Sequence, residues 1–367
     1  MSLDCHALSV RRDKAVSADA DAHGGDWSGV LLDFSVNVSP LGVSDAVRVA
    51  LTEAAAYADR YPDPLCRELR AAIGAAERLP PEFVLCGNGA SDLIFRAALA
   101  LRPKRAVVTA PAFSEYETAL TLTDCEITRY PLRAENGFRL DAGFLDFLTP
   151  GTNAAFLCQP NNPTGVTIPK ALLLRVLERC REIGCRLILD ECFLGFLDCP
   201  ELFTLREKLE EYPNPLILRA FTKLYGLAGV RLGYALSSDS ALLGQMRRCG
   251  PPWSVSGLAQ AAGVAALREN AYVNAVRRLV SRERPKMYGK LRAMGLRVIP
   301  GEANFLLFQS PAPLCEALRK RGILIRNCGN FHGLDDTWYR VAVRTEAENR
   351  RLIAALLEVL CEKRNGL

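Results

Sequence analysis

The sequence predicts an α/β fold: a three-layer α/β/α large domain around a seven-stranded, mostly parallel sheet, followed by a smaller α+β domain. Three observations carry this. Seven short β-rich runs recur between 83 and 236 with helical stretches between them. Those runs are apolar almost throughout, as strands covered on both faces are. Polar and glycine-bearing segments stand at their carboxyl ends, where an open α/β sheet forms its ligand crevice.

The runs are Phe83–Cys86, Ala106–Thr109, Glu126–Pro131, Ala154–Gln159, Arg186–Leu189, Leu216–Ala220 and Leu232–Leu236. Gly87-Asn88-Gly89 follows the first, Pro160-Asn161-Asn162-Pro163-Thr164-Gly165 follows the fourth, and Asp190-Glu191 ends the fifth. One crevice could therefore collect all three. Beyond Gly250-Pro251-Pro252 a long helical stretch reaches about Met294. Strand-like Ala303–Gln309, a helix, Ile323–Arg326, Tyr339–Val343 and an amphipathic helix from Glu346 then suggest the smaller domain. These divisions place a large domain at 46–250 and a small one at 251–367. No internal repeat or low-complexity tract interrupts them.

A chain of 367 residues suits two closely associated domains. Apolar residues make up 49%, charged residues 24%, and the formal charge is only +5, an ordinary globular balance. The basic clusters Arg277-Arg278 and Arg319-Lys320-Arg321 fall at helical spacings that suit solvated faces, so nucleic acid is not an expected partner. The sequence has no run of about 18 apolar residues, and Met1–Ala22 is too polar for a secretory segment. A cytoplasmic protein without a membrane partner is expected. Many of the 13 cysteines, among them Cys86, Cys158, Cys185 and Cys192, sit in apolar segments where a reduced thiol packs as a small hydrophobe. The pairs Cys180/Cys185 and Cys192/Cys199 lack zinc-ribbon spacing, only His6, His23 and His332 could assist, and no metal is expected.

The segment from Phe221 to Tyr234, Phe-Thr-Lys-Leu-Tyr-Gly-Leu-Ala-Gly-Val-Arg-Leu-Gly-Tyr, carries the strongest chemical signal. It follows a strand and sets Lys223 eight residues before Arg231 among glycines. A lysine constrained at a strand end can lose solvation, and its neutral amine is then a nucleophile toward an aldehyde. Taken alone, Lys223 reads better as a surface lysine in a turn. Asp190 closes an apolar strand, where a carboxylate needs a cation or a hydrogen-bond network.

The whole segment resembles the Schiff-base motif of fold-type I pyridoxal 5'-phosphate (PLP) enzymes, in the class I/II aminotransferase superfamily. The resemblance runs from about His23 to Arg350 and is closest to the branch that holds histidinol-phosphate aminotransferases and threonine-phosphate decarboxylases. It implies that Lys223 carries the cofactor and that Asp190 pairs with the pyridine nitrogen. Glu191 is then a structural neighbour. Asn162, in Asn-Pro-Thr-Gly, resembles the asparagine that bonds the cofactor's phenolic oxygen, next to an often cis proline, here Pro163. Gly89-Ala90-Ser91 opens a helix whose N–H groups can receive the cofactor phosphate, and Thr222 and Arg231 resemble its side-chain ligands. Phe113 matches the aromatic that stacks on the ring. Tyr61, in Tyr-Pro-Asp-Pro, matches one that reaches the phosphate of a neighbouring subunit. The implied partner is therefore a second copy, in a homodimer with shared sites.

The resemblance also points to substrate. Arg340 resembles the small-domain arginine that clamps an α-carboxylate with its planar fork. Arg326 stands at a second strand end, where it could bind another anion or form a rim salt bridge. His23-Gly24-Gly25, followed by Asp33-Phe34-Ser35-Val36-Asn37, looks like the N-terminus of threonine-phosphate decarboxylases. This makes residues 1–45 an arm that joins the small domain and covers the site, with His23, Gly24, Asn37 and Arg326 around a phosphorylated side chain. Phe193 departs from the tyrosine of many aminotransferases, and phenylalanine cannot donate a hydrogen bond. The implied reaction is decarboxylation of O-phospho-L-threonine to aminopropanol phosphate and carbon dioxide, in cobalamin biosynthesis. The alternative is an aminotransferase acting on histidinol phosphate or a related amino acid.

Overall fold

The computed structural model describes residues 24–25 and 32–365. A short strand, β1 (Leu32–Asp33), precedes the large sheet. That sheet holds β2 (Val84–Gly87), β3 (Arg105–Ala110), β4 (Glu126–Pro131), β5 (Ala154–Cys158), β6 (Arg186–Asp190), β7 (Pro215–Ala220) and β8 (Gly233–Leu236). Their spatial order is β2-β8-β7-β6-β5-β3-β4. β8 runs antiparallel to both neighbours and the other pairings are parallel. The expected seven-stranded, mostly parallel α/β sheet is therefore present.

Why the strands are apolar along their length follows from the two cores they separate. Leu187, Leu189 and Ile217 pack into one buried cluster, while Ile188, Leu216 and Leu218 pack into the other. Successive side chains of a strand point to opposite faces, so the central strands, covered on both sides, bury nearly every position, while the edge strand β4 stays largely exposed. Each fully buried aliphatic side chain contributes about 1.5–3 kcal/mol. The helix Lys170–Glu182 covers one face through Leu173, Val176 and Leu177, and the helix Gly89–Leu101 covers the other through Leu93, Ile94 and Ala97.

The remaining strands are β9 (Arg297–Val298), β10 (Phe305–Gln309), β11 (Ile323–Leu324), β12 (Arg326–Asn327) and β13 (Trp338–Ala342). A four-stranded sheet runs β12-β13-β10-β9, and β1 pairs in parallel with β11. The run Ile323–Arg326, read as one strand, is thus two. Its first half pairs with β1 and its second with β13, with Ile325 at the change of sheet. The helical stretch before Met294 is also divided, into Gly257–Ala266 and Asn270–Ala293. Arg268 and Glu269 donate to Ala265 and Ala266, a tightened turn that ends the first helix. The last helix is Glu346–Asn365. Among the described residues no helix is long and apolar enough to cross a membrane.

Beyond β1 the chain is tied to both sheets. Phe34 donates to Leu324 and accepts from Ala342, and farther on the Ser39 N–H donates to the Lys223 carbonyl at 2.8 Å. This places Ser35–Ser39 above the carboxyl ends of the large sheet.

Candidate active site

Asp190 ends β6, and Lys223 lies in the single helical turn Phe221–Leu224 after β7. Adjacent strand ends thus deliver both to one pocket, which Asn162, Phe113, Thr222 and Arg231 also line. Ala90 and Ser91 enter it from the first turn of the helix Gly89–Leu101. An outer cleft continues from this pocket. Gly24, Asn37, Arg326 and Arg340 line that cleft, together with Asn162, Phe113, Lys223 and Arg231.

Burial first, with the charges of Arg340 and Arg231, pulls the Lys223 amine below the usual lysine range. A larger neutral fraction follows, as an amine that attacks a carbonyl requires. Asp190 Oδ2 accepts from the Tyr116 hydroxyl at 2.6 Å, and Oδ1 accepts from the Cys192 N–H at 2.9 Å. The Asn162–Pro163 bond is cis, as are those before Pro111 and Pro160.

Gly89 is in the left-handed region at φ +84°, and a Cβ there would stand 2.7 Å from Arg231 Nη2. A Cβ on Gly233 would stand 2.6 Å from the Ala90 nitrogen. These two glycines let the guanidinium and a neighbouring strand close around a helix N-terminus, which favours an anion.

Arg326 and Arg340 are paired opposite each other across β12 and β13, and both are buried. Arg340 donates to Asn162 Oδ1 and, at 3.1 Å, to the Ser35 carbonyl, while its buried Nε has no partner among the described residues. Burial lowers the Arg340 guanidinium to about 10, so it stays charged at neutral pH. Arg326 donates to Asn330 Oδ1 at 2.6 Å and lies over the Phe331 ring. Asn37 is buried with Oδ1 unpartnered among the described residues. A guanidinium atom and an amide oxygen left without partners beside a cleft mark positions that a polar ligand can complete.

Two residues stand apart. Tyr61 is 83% exposed, leans against Trp253 at 4.8 Å, and lines neither the pocket nor the cleft of its own chain. His23 lies outside the described residues.

With that geometry in view, comparison with known proteins is decisive. The family model for aminotransferases of class I and II matches residues 30–356. The chain belongs to this family. It is 40% identical to threonine-phosphate decarboxylase of Salmonella typhimurium, over 90% of this chain and 91% of that protein. It is 37% identical to histidinol-phosphate aminotransferase of Symbiobacterium thermophilum, over 90% and 91%. In structure it is similar to histidinol-phosphate aminotransferase from Clostridium acetobutylicum, with a TM-score of 0.85, 27% identity and coverage of 90% and 100%. Pyridoxal phosphate is the cofactor this membership indicates, and the pocket fits it. The glycine-lined helix start suits the phosphate, Asp190 suits a protonated ring nitrogen, Phe113 offers a ring face and Lys223 an amine.

Sequence reasoning missed Tyr116, the pocket-facing thiols and the arginine that holds Glu191, itself the structural neighbour it was read to be. Tyr116 bonds Asp190 from 74 positions away, a distance no local pattern spans. Cys158 and Cys192, read as core thiols, line the pocket. Glu191 is held by Arg219 at 2.7 Å, and Arg219 also holds Glu77 at 2.8 Å, so the buried network behind β6 links three elements.

Proposed function

We propose that this enzyme decarboxylates O-phospho-L-threonine to aminopropanol phosphate and carbon dioxide, a step toward the cobalamin nucleotide loop. The observation that carries it is the pair of buried arginines facing one cleft beside Lys223, which suits an amino acid with a second anionic group. Its similarity to threonine-phosphate decarboxylase supports the same reading.

Lys223 would hold the cofactor through its amine, with Asp190 at its ring nitrogen, Asn162 at its phenolic oxygen and Phe113 against its ring. The backbone N–H groups of Gly89, Ala90 and Ser91, with Thr222 and Arg231, would hold its phosphate. Pyridoxal phosphate, when bound, supplies an electron sink for the pair left on Cα. Arg340 clamps the substrate carboxylate through the Nε that has no protein partner. Arg326, with Asn37, Gly24 and His23, receives the phosphate of the side chain. The bond from Cα to the carboxyl carbon breaks and carbon dioxide leaves. Lys223 Nζ then delivers a proton to Cα, which makes the product an amine rather than a keto acid.

Phe193 favours this outcome over transamination. It lines the pocket where many aminotransferases carry a phenol, and so gives the phenolic oxygen of the cofactor no donor from that side. A homodimer completes the account: exposed Tyr61 reaches the phosphate end of the partner's site. The enzyme works in the cytoplasm.

Titrating the holoenzyme with substrate analogues, followed by the cofactor's absorbance, tests the assignment. O-phospho-L-threonine should saturate at concentrations about tenfold to a hundredfold below L-threonine, the value of one or two bonds to a charged group. Equal saturation by both would overturn the phosphate subsite, and tighter saturation by histidinol phosphate would favour the aminotransferase.

A further inference from the structure

Tyr116 is buried on the helix Glu115–Thr121, and its ring stands between two residues of the pocket. It meets Phe113 edge-on, with centroids 5.8 Å apart and an interplanar angle of 85°. Its hydroxyl reaches Asp190 Oδ2 at 2.6 Å. On its other side the ring leans on Phe156 of β5 at 5.5 Å. One side chain thus touches both the aromatic that faces the cofactor plane and the carboxylate that faces the ring nitrogen.

The hydroxyl must be the donor. Burial, and then the charge of Asp190, push the Tyr116 phenol well above its ordinary value, so it keeps its proton at every working pH. An O–H bonded to a carboxylate in a dry site is about twice as strong as a neutral bond, and it stabilises the anion over the acid. The titratable groups around the pair are the thiols of Cys158 and Cys192, both pushed up by burial, and Lys223, pulled down by it. Cys158 sits opposite Asp190 in the β5/β6 register and gives its own hydrogen to the Pro160 carbonyl at 3.2 Å. The Cys192 N–H and the Tyr116 hydroxyl both donate to the carboxylate.

We propose that Tyr116 is a positioning residue that holds Asp190 as a carboxylate facing the cofactor's ring nitrogen, so that the proton between Asp190 and that nitrogen stays on the nitrogen. This rests on the cofactor reading above. Replacing the hydroxyl with hydrogen removes that donor from the carboxylate and draws the proton from the nitrogen toward it. A ring nitrogen with less positive charge is a poorer electron sink, and the nitrogen joined to Lys223 becomes more basic.

The test is a pH titration of the visible absorbance of the holoenzyme at saturating pyridoxal phosphate. In Tyr116→Phe the midpoint should rise by about one unit, and kcat should fall about tenfold to a hundredfold with KM little changed. Incorporating 3-fluorotyrosine at 116, a better donor of nearly the same size, should move the midpoint the other way. In an Asp190→Asn background, both shifts should vanish. An unchanged midpoint in Tyr116→Phe with cofactor bound overturns the proposal, as does a shift that survives Asp190→Asn. A wild-type protein that takes up no cofactor fails the underlying reading itself, and that outcome is visible before any variant is made.

Discussion

The Lys223 amine lies 5.6 Å from the centroid of the Phe193 ring, over its face. A ring face at that distance attracts a cation without accepting or donating a proton. At this position a tyrosine would put a hydroxyl into the pocket. Phe193→Tyr should therefore raise the ratio of transamination to decarboxylation by about tenfold, the low end of what one positioned proton donor contributes. Single turnovers without an oxo acid check this through pyridoxamine phosphate formed per carbon dioxide released.

Burial of Lys223 has a stability consequence with a definite sign. Its folded pKa lies below its unfolded value, so between the two the unfolded chain binds more protons, and stability rises as pH rises through that window. Lys223→Met should then stabilise the cofactor-free protein at neutral pH, and the difference should shrink as pH approaches the ordinary lysine pKa of about 10.4. Urea unfolding at several pH values reads it, and a gap that widens with pH would contradict the burial argument.

Arg219 pairs with both Glu77 and Glu191, which are buried, and Arg206 also reaches Glu77 at 3.3 Å. Tyr234 also donates to Glu77 at 2.5 Å, and Thr204 to Glu191 at 3.0 Å. Arg219→Met leaves two buried carboxylates without their common partner and should cost about 3–5 kcal/mol of stability. Denaturant unfolding measures it. Glu191 should become protonated in the variant, because burial already pushes its carboxyl up.

Arg340 tests the carboxylate clamp. Arg340→Lys keeps the charge but loses the fork that also holds Asn162 and the Ser35 carbonyl. KM for an amino acid substrate should rise about tenfold to a hundredfold. Steady-state kinetics separate this from a fall in kcat alone, which would place Arg340 in a different role.

The large sheet was legible because parallel strands buried on both faces leave apolar runs that helices cannot imitate at that length. Six of the seven runs in the large sheet differ from the observed strands by a residue at one end or both, and Glu126–Pro131 agrees at both ends. Polar clusters at strand ends were legible for the same topological reason, and they brought Asp190, Asn162 and Lys223 together. Tyr116 was invisible because its partner comes from another strand, and its spacing from Phe113 resembles ordinary helix packing. Ile325 was invisible as a break because a strand that changes sheets keeps its apolar pattern. Tyr61, proposed to reach a partner's site, lines neither the pocket nor the cleft of its own chain.

As a decarboxylase, this enzyme removes carbon dioxide and needs no amino-group acceptor. The direct measurement is carbon dioxide and glutamate formed from O-phospho-L-threonine by the cofactor-loaded protein, with and without 2-oxoglutarate. Stoichiometric carbon dioxide, indifferent to the oxo acid, is the expected result. Glutamate without carbon dioxide, formed only when 2-oxoglutarate is present, would contradict it.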